Sequence, residues 1–238
     1  MSMVEQRQLA VRCSNIAKHY GTGDARVQAL NDVELDVYAG ELMMLVGPSG
    51  CGKTTLISII AGILDQNRGN CLIYGKDFLS MKSTEKLAYR AKNIGFVFQA
   101  YNLLPTLTIA ENAAVPLIIN GTPRKQAVEQ AGEMLEKVGL GGRQKSLPAQ
   151  LSGGQQQRVA IVRSLIHGPR LIVCDEPTSA LDHETGHKVM ELMKAIALDR
   201  NRALIIVTHD ARIFEFADRI ARMDDGHIAR VVTSHADL

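Results

Sequence analysis

The sequence predicts an α/β fold: a mostly parallel core sheet carrying an N-terminal antiparallel β layer and an inserted helical subdomain. Three observations predict it. Short, fully apolar runs recur at Leu42–Val46, at 94–98, at 171–174 and at Ala203–Val207, as expected of strands covered on both faces of a parallel sheet. A Gly-rich loop starting at Gly47 follows the first run and leads into a helical stretch, the order of a βα unit. Between residues 99 and 171 the periodicity becomes helical, broken by turn signals at Pro105, Asn120-Gly121, 139–142 and Pro148.

In chain order, Val11, Cys13 and Ile16 hint at a first strand, and Val33, Leu35 and Val37 alternate with Glu34, Asp36 and Tyr38 at the period of a half-buried strand. The first 40 residues therefore read as an antiparallel layer. Residues 53–63 read as a helix ending near Gly62, and helix-like stretches separate the later apolar runs. No internal repeat or low-complexity tract interrupts this order.

Composition narrows the function classes. The chain has 238 residues, 46% hydrophobic and 4% aromatic, enough to bury a full core without disulfide or metal. Its 27 Lys+Arg against 25 Asp+Glu leave a net charge of +2, which argues against a nucleic-acid binder held by a dense basic face. Cys13, Cys51, Cys71 and Cys174 form no C-x-x-C pair, so neither a zinc ribbon nor a redox dithiol is indicated and a reduced cytosolic compartment is expected. Nowhere do about 18 uncharged apolar residues run together. Direct membrane insertion is not expected, and any membrane role comes through a partner.

The strongest motif is Gly47-Pro48-Ser49-Gly50-Cys51-Gly52-Lys53-Thr54, with Thr55 following, matching G-x-x-x-x-G-K-[ST] between a strand and a helix. Glycines let successive amides turn toward one anion, and the helix N-terminus adds its dipole. Lys53 is then expected to reach the β and γ phosphates of a nucleotide, and Thr54 to offer its hydroxyl to Mg²⁺. Asp175 and Glu176 end the run at 171–174, where open α/β sheets place their ligands. Adjacent strand residues face opposite ways, so the two acids can have different roles. Asp175 is expected to meet Mg²⁺, through a water, and Glu176 to orient or deprotonate the attacking water.

A second Gly-rich element, Leu151-Ser152-Gly153-Gly154-Gln155, opens another helix and is a second anion site by the same dipole argument. Placed on the helical subdomain, it is too remote to close over its own chain's nucleotide. It is instead expected to cover the phosphates of another copy, which predicts a head-to-tail dimer with two ATP in the interface.

With these motifs the sequence resembles the ATP-binding subunit of ABC transporters over nearly its whole length. The family's elements occur in order: the phosphate loop, Gln99, LSGGQ at 151–155, LIVCDE at 171–176, Ser179-Ala180-Leu181-Asp182, and His209. The resemblance implies an ABC-type P-loop fold and an ATPase with ATP and Mg²⁺ as ligands. It implies one nucleotide-binding domain over 1–238, its ATP-binding core at 1–98 and 167–238 and its helical signature subdomain at about 99–166. It also implies that Tyr20 stacks on adenine, that Gln99 touches Mg²⁺ and the attacking water, that Asp182 bridges two subunits, and that His209 contacts the γ-phosphate.

Within the family the similarity points to the lipoprotein-release and macrolide-efflux type, together with the cell-division subunit. The features are the turn at 21–29, the stretch Phe98-Gln99-Ala100-Tyr101-Asn102-Leu103-Leu104-Pro105, and TLTIAENAAVPL ending at Leu117. Such subunits drive a permease with few helices and a large periplasmic domain, from the cytoplasmic face of the bacterial inner membrane. Docking is expected at 99–112, with Tyr101, Leu103, Leu104 and Leu107 as an apolar patch. Two rivals stand beside this reading: a regulatory ATPase in cell division that moves no substrate, and a soluble ATPase acting on DNA or ribosomes. The second would need a coiled-coil insertion or a tandem ATPase domain. His183 and His187, four apart, lack a third metal ligand in the sequence.

Overall fold

The alternating strands of the N-terminal layer pair as their patterns require. In the computed structural model, which describes residues 7–179, 181–197 and 201–237, β1 (Leu9–Tyr20) and β2 (Val27–Tyr38) form an antiparallel pair. Ala180 lies outside the described residues. Val11, Cys13 and Ile16 are all buried although their spacing breaks the two-residue period. The ladder shifts register between Cys13 and Ile16, and Asn15 adopts φ +53° there, its N–H donating to the Glu34 carboxylate at 2.6 Å. This bulge returns Ile16 to the core face.

The next segment supplies β3 (Leu42–Val46), α1 (Lys53–Ile60), β4 (Arg68–Ile73), β5 (Lys76–Asp77), α2 (Ser83–Asn93) and β6 (Ile94–Val97). The helices α3 (Ile109–Ile119), α4 (Arg124–Lys137) and α5 (Gly153–Leu165) follow. Then come β7 (Leu171–Asp175), α6 (His183–Ala197), β8 (Ala203–Val207), β9 (Arg219–Asp224) and β10 (His227–Val232). One sheet runs β2-β1-β4-β5; the other runs β10-β9-β3-β8-β7-β6, parallel except for the antiparallel edge strand β10. The apolar runs at 42–46, 171–175 and 203–207 thus occupy the centre of the parallel sheet.

Each central strand buries both faces. Met43, Leu45, Val173, Ile205 and Val207 pack against α1 and the antiparallel sheet. Leu42, Met44, Ile172, Cys174, Leu204 and Ile206 pack against α5 and α6 on the opposite side. A third core, built around Ile109, Ala113, Ala127, Ala131, Leu135 and Val159, holds α3, α4 and α5 together.

The antiparallel layer is larger than the first 40 residues, since it recruits β4 and β5. The C-terminal stretch also contributes more than a tail: β9 pairs in parallel with β3, and β10 closes the edge. Just before β3, buried Glu41 accepts from Arg219 at 3.0 Å and from the Tyr38 N–H at 2.9 Å. Burial raises its carboxyl above the usual range, against the pull of those two partners.

Candidate active site

The parallel strands end together, and their carboxyl ends hold the chemistry. The loop after β3 is shaped by backbone that only glycine fits: a Cβ on Gly47 (φ +149°) would stand 2.1 Å from the Met223 carbonyl oxygen, and one on Gly52 (φ +99°) 2.3 Å from that of Ala29. Among the described residues no side chain caps the N-terminus of α1, whose N-cap is Gly52, unlike α5, where Ser152 and Gln155 cap each other's amides at 3.0 and 3.3 Å. The first-turn N–H groups of α1 are therefore left for an external anion.

Lys53 lies under this loop, 8% exposed, donating to the carbonyls of Gly47 at 2.9 Å and Pro48 at 2.7 Å. Thr54 Oγ1 donates to Asp175 Oδ2 at 3.1 Å. Burial raises the Asp175 carboxyl above its ordinary range, and the Thr54 hydrogen bond opposes that shift. Glu176 takes a left-handed backbone (φ +52°), its N–H bonded to the Val207 carbonyl at 2.9 Å. That conformation is uncommon for a residue with a Cβ. It separates the two neighbouring carboxylates, so Glu176 Oε1 meets His209 Nδ1 at 2.8 Å, just past β8.

These groups line one cleft of about 570 Å³, shared by Gly47, Pro48, Ser49, Gly50, Gly52, Lys53, Thr54 and Thr55 with Gln99, Asp175, Glu176 and His209. Cys51 belongs to the loop, but its thiol is buried beneath it, 3.6 Å from Lys53 Nζ. Tyr20 stands beside the loop, 43% exposed, its hydroxyl 3.5 Å from Thr55 Oγ1. Ser152, Gly153, Gly154 and Gln155 lie at the start of α5, outside the cleft lining. Asp182 caps α6 by accepting the Thr185 N–H at 3.0 Å.

Sequence reasoning missed Ala29 and Val207, which line the cleft through residue types with no chemical signature. The expected apolar patch at 101–107 is also arranged differently. Tyr101 and Leu103 pack on the core and Leu107 is half-buried, leaving Leu104 exposed. His187 lies between Glu191 at 3.7 Å and Glu215 at 3.5 Å. Among the described residues no three His, Cys, Asp or Glu gather as a metal site.

Residues 30–179 match the family model described as ABC transporter. The chain belongs to the ABC transporter family. It is an ATP-binding domain of that family and an ATPase. The chain is 39% identical to the lipoprotein-releasing system ATP-binding protein LolD of Shewanella frigidimarina, over 98% of its own length and 97% of that protein. It is 40% identical to the macrolide export ATP-binding/permease protein MacB of Aggregatibacter actinomycetemcomitans, over 96% of the chain but 34% of that longer protein. The ABC fold is shared with the ATP-binding cassette MJ0796, solved as a dimer bound to ADP and Pi. That match has a TM-score of 0.88 at 36% identity, over 94% of this chain and 98% of that one. No helix among the described residues of this ABC ATPase is long and apolar enough to cross a membrane.

Proposed function

We propose that the cleft hydrolyses ATP bound between two copies of the chain and that the cycle drives a membrane permease. The observation that carries this reading is the convergence of the uncapped α1 N-terminus, the Thr54–Asp175 contact at 3.1 Å and the Glu176–His209 contact at 2.8 Å in one cleft. Tyr20 stacks on the adenine, and the amides of the loop from Gly47 to Thr55 hold the phosphates. Lys53 exchanges the Gly47 and Pro48 carbonyls for the β and γ phosphates. Glu176 takes the proton of the attacking water, and His209, bonded to the same carboxylate, orients it and reaches the γ-phosphate.

Oxygen donors at the spacing of Thr54 and Asp175, with Gln99 across the cleft, suit a hard cation such as Mg²⁺. Mg²⁺ bound there would neutralise charge developing on the transferred phosphoryl group. Residues 1–98 and 167–238 form the ATP-binding core and about 99–166 the signature subdomain. Ser152, Gly153, Gly154, Gln155 and Asp182 act across the interface, on the partner copy's nucleotide. Their position outside their own cleft supports that role, as does the dimeric state of MJ0796.

The partner is a permease with few helices and a large periplasmic domain, which keeps the ATPase on the cytoplasmic face of the inner membrane. An apolar groove of about 540 Å³ between α2, β6, α3 and α5 is the seat for it, rimmed by Leu87 (61% exposed) and Ile119 (67% exposed). The names of the relatives, lipoprotein release and macrolide export, favour a transport driver over a cell-division regulator. The test is Glu176→Gln: turnover should fall by about a hundredfold or more while ATP still binds. The variant should accumulate as an ATP-dependent dimer and bring a permease down from solubilised membranes. Near-normal turnover would refute the assigned base.

A further inference from the structure

Just after Gln99 the chain makes two consecutive left-handed residues, Tyr101 (φ +60°) and Asn102 (φ +48°), neither of them glycine. Asn tolerates that region but an aromatic residue with a Cβ disfavours it, so the conformation of Tyr101 persists where its surroundings hold it. Local backbone bonds close the turn only in part, from the Tyr101 N–H to the Phe98 carbonyl at 3.1 Å and from the Asn102 N–H to the Ala100 carbonyl at 2.6 Å.

The remaining restraint comes from α5. Arg163, near the end of that helix, donates from Nη2 to the Tyr101 carbonyl at 2.6 Å and from Nη1 to the Asn102 carbonyl at 2.7 Å. A planar guanidinium spans two such acceptors at once; an ammonium is a single point donor. Burial lowers the Arg163 pKa, and no carboxylate pairs with it among the described residues. Its charge is therefore met by these carbonyls. The Tyr101 side chain reaches the other end of the same helix, where a Cβ on Gly153 would stand 3.4 Å from its hydroxyl. The turn after Gln99 is thus bonded to one end of the signature helix, through Arg163, and its Tyr101 side chain lies beside the other.

We propose that Arg163 is a positioning residue for hydrolysis: by clamping the turn at Tyr101 and Asn102 it sets Gln99 in the cleft and makes it move with α5. This rests on the reading of Gln99 as the group that meets the cation and the attacking water. Arg163 itself touches neither nucleotide nor water, and its effect passes through Gln99.

A double-mutant cycle in the full chain tests this, with Arg163→Met, Gln99→Ala and the pair, measuring kcat, KM for MgATP and equilibrium binding of a fluorescent ATP analogue. Arg163→Met is expected to lower kcat by about tenfold while analogue affinity stays within about twofold, since the phosphate loop is untouched. In the Gln99→Ala background the same substitution should cost less than about twofold more, because residues acting through one group are non-additive. Arg163→Lys, which keeps charge and stem, is the variant to read if Arg163→Met does not fold, and its kcat should fall between those of the parent and Arg163→Met. Independent, multiplying losses in the pair would overturn the clamp while leaving the Gln99 assignment intact. Wild-type turnover in Arg163→Lys would do the same. Wild-type turnover in Gln99→Ala would remove the Gln99 reading and the clamp with it.

Discussion

At the scale of residues, the cleft works by holding charged groups where their partners can be exchanged. Lys53 is bonded to carbonyls of the loop it belongs to, so in the proposed reading its charge already stands where the phosphates would bind and needs only a small rearrangement. Lys53→Ala should abolish nucleotide binding at concentrations that saturate the parent, read by fluorescent-analogue titration; parent affinity would remove its assigned role. His167 offers a pH test away from the cleft. Its Nδ1 is buried without a partner among the described residues, and burial lowers its pKa below the ordinary 6.5 although Nε2 meets the Ile94 carbonyl. As pH drops below 6.5 the unfolded chain takes up this proton more readily than the folded chain. Stability should therefore fall with acid through this group. Denaturant midpoints at several pH values should show this slope, and His167→Leu should flatten it.

At the scale of elements, two contacts set how strands and helices meet the site. The buried Glu41–Arg219 pair joins the start of β3 to β9. Arg219→Met would leave a buried carboxylate without its cation, and should cost about 3–5 kcal/mol in urea unfolding. Ser152 caps α5 in a reciprocal box with Gln155, and Ser152→Ala should cost about 1 kcal/mol of stability, with any larger effect on turnover belonging to the role proposed for it across the dimer. The central strands, α1 and the alternation in β2 were legible because burial on one or two faces writes itself into residue type. β4 and β9 were not: Arg68, Gly69 and Asn70 in one, and Arg219, Arg222 and Asp224 in the other, dilute the apolar signal. Pairing with β1 and β3, distant in sequence, makes them strands.

At the scale of the whole molecule, the apolar groove reaches Phe98 and the nucleotide cleft reaches the next residue, Gln99, and Arg163 lines the groove while bonded to the turn that follows. A partner seated in the groove would press on the segment that carries Gln99. Leu87→Glu and Ile119→Glu should leave basal ATPase activity unchanged, since neither residue lines the cleft, and should abolish co-purification with the permease. Retained co-purification would move the docking site elsewhere.

The apolar runs and the helical stretch between them were sufficient to predict the fold class, and the residue types and spacing of the phosphate loop and the acidic strand end to predict the ATP chemistry; the signature gave the expectation of a second copy. Those motifs are local: an anion cradle or a helix cap is written in neighbouring residues. Tertiary structure alone decided which distant groups touch, from Thr54 with Asp175 and Glu176 with His209 to Arg163 with the turn after Gln99. It also decided that Tyr101 and Leu103 face the core while Leu87 and Ile119 face solvent. An apolar side chain reads the same in sequence whether or not another element covers it, and only the packed fold supplies that cover.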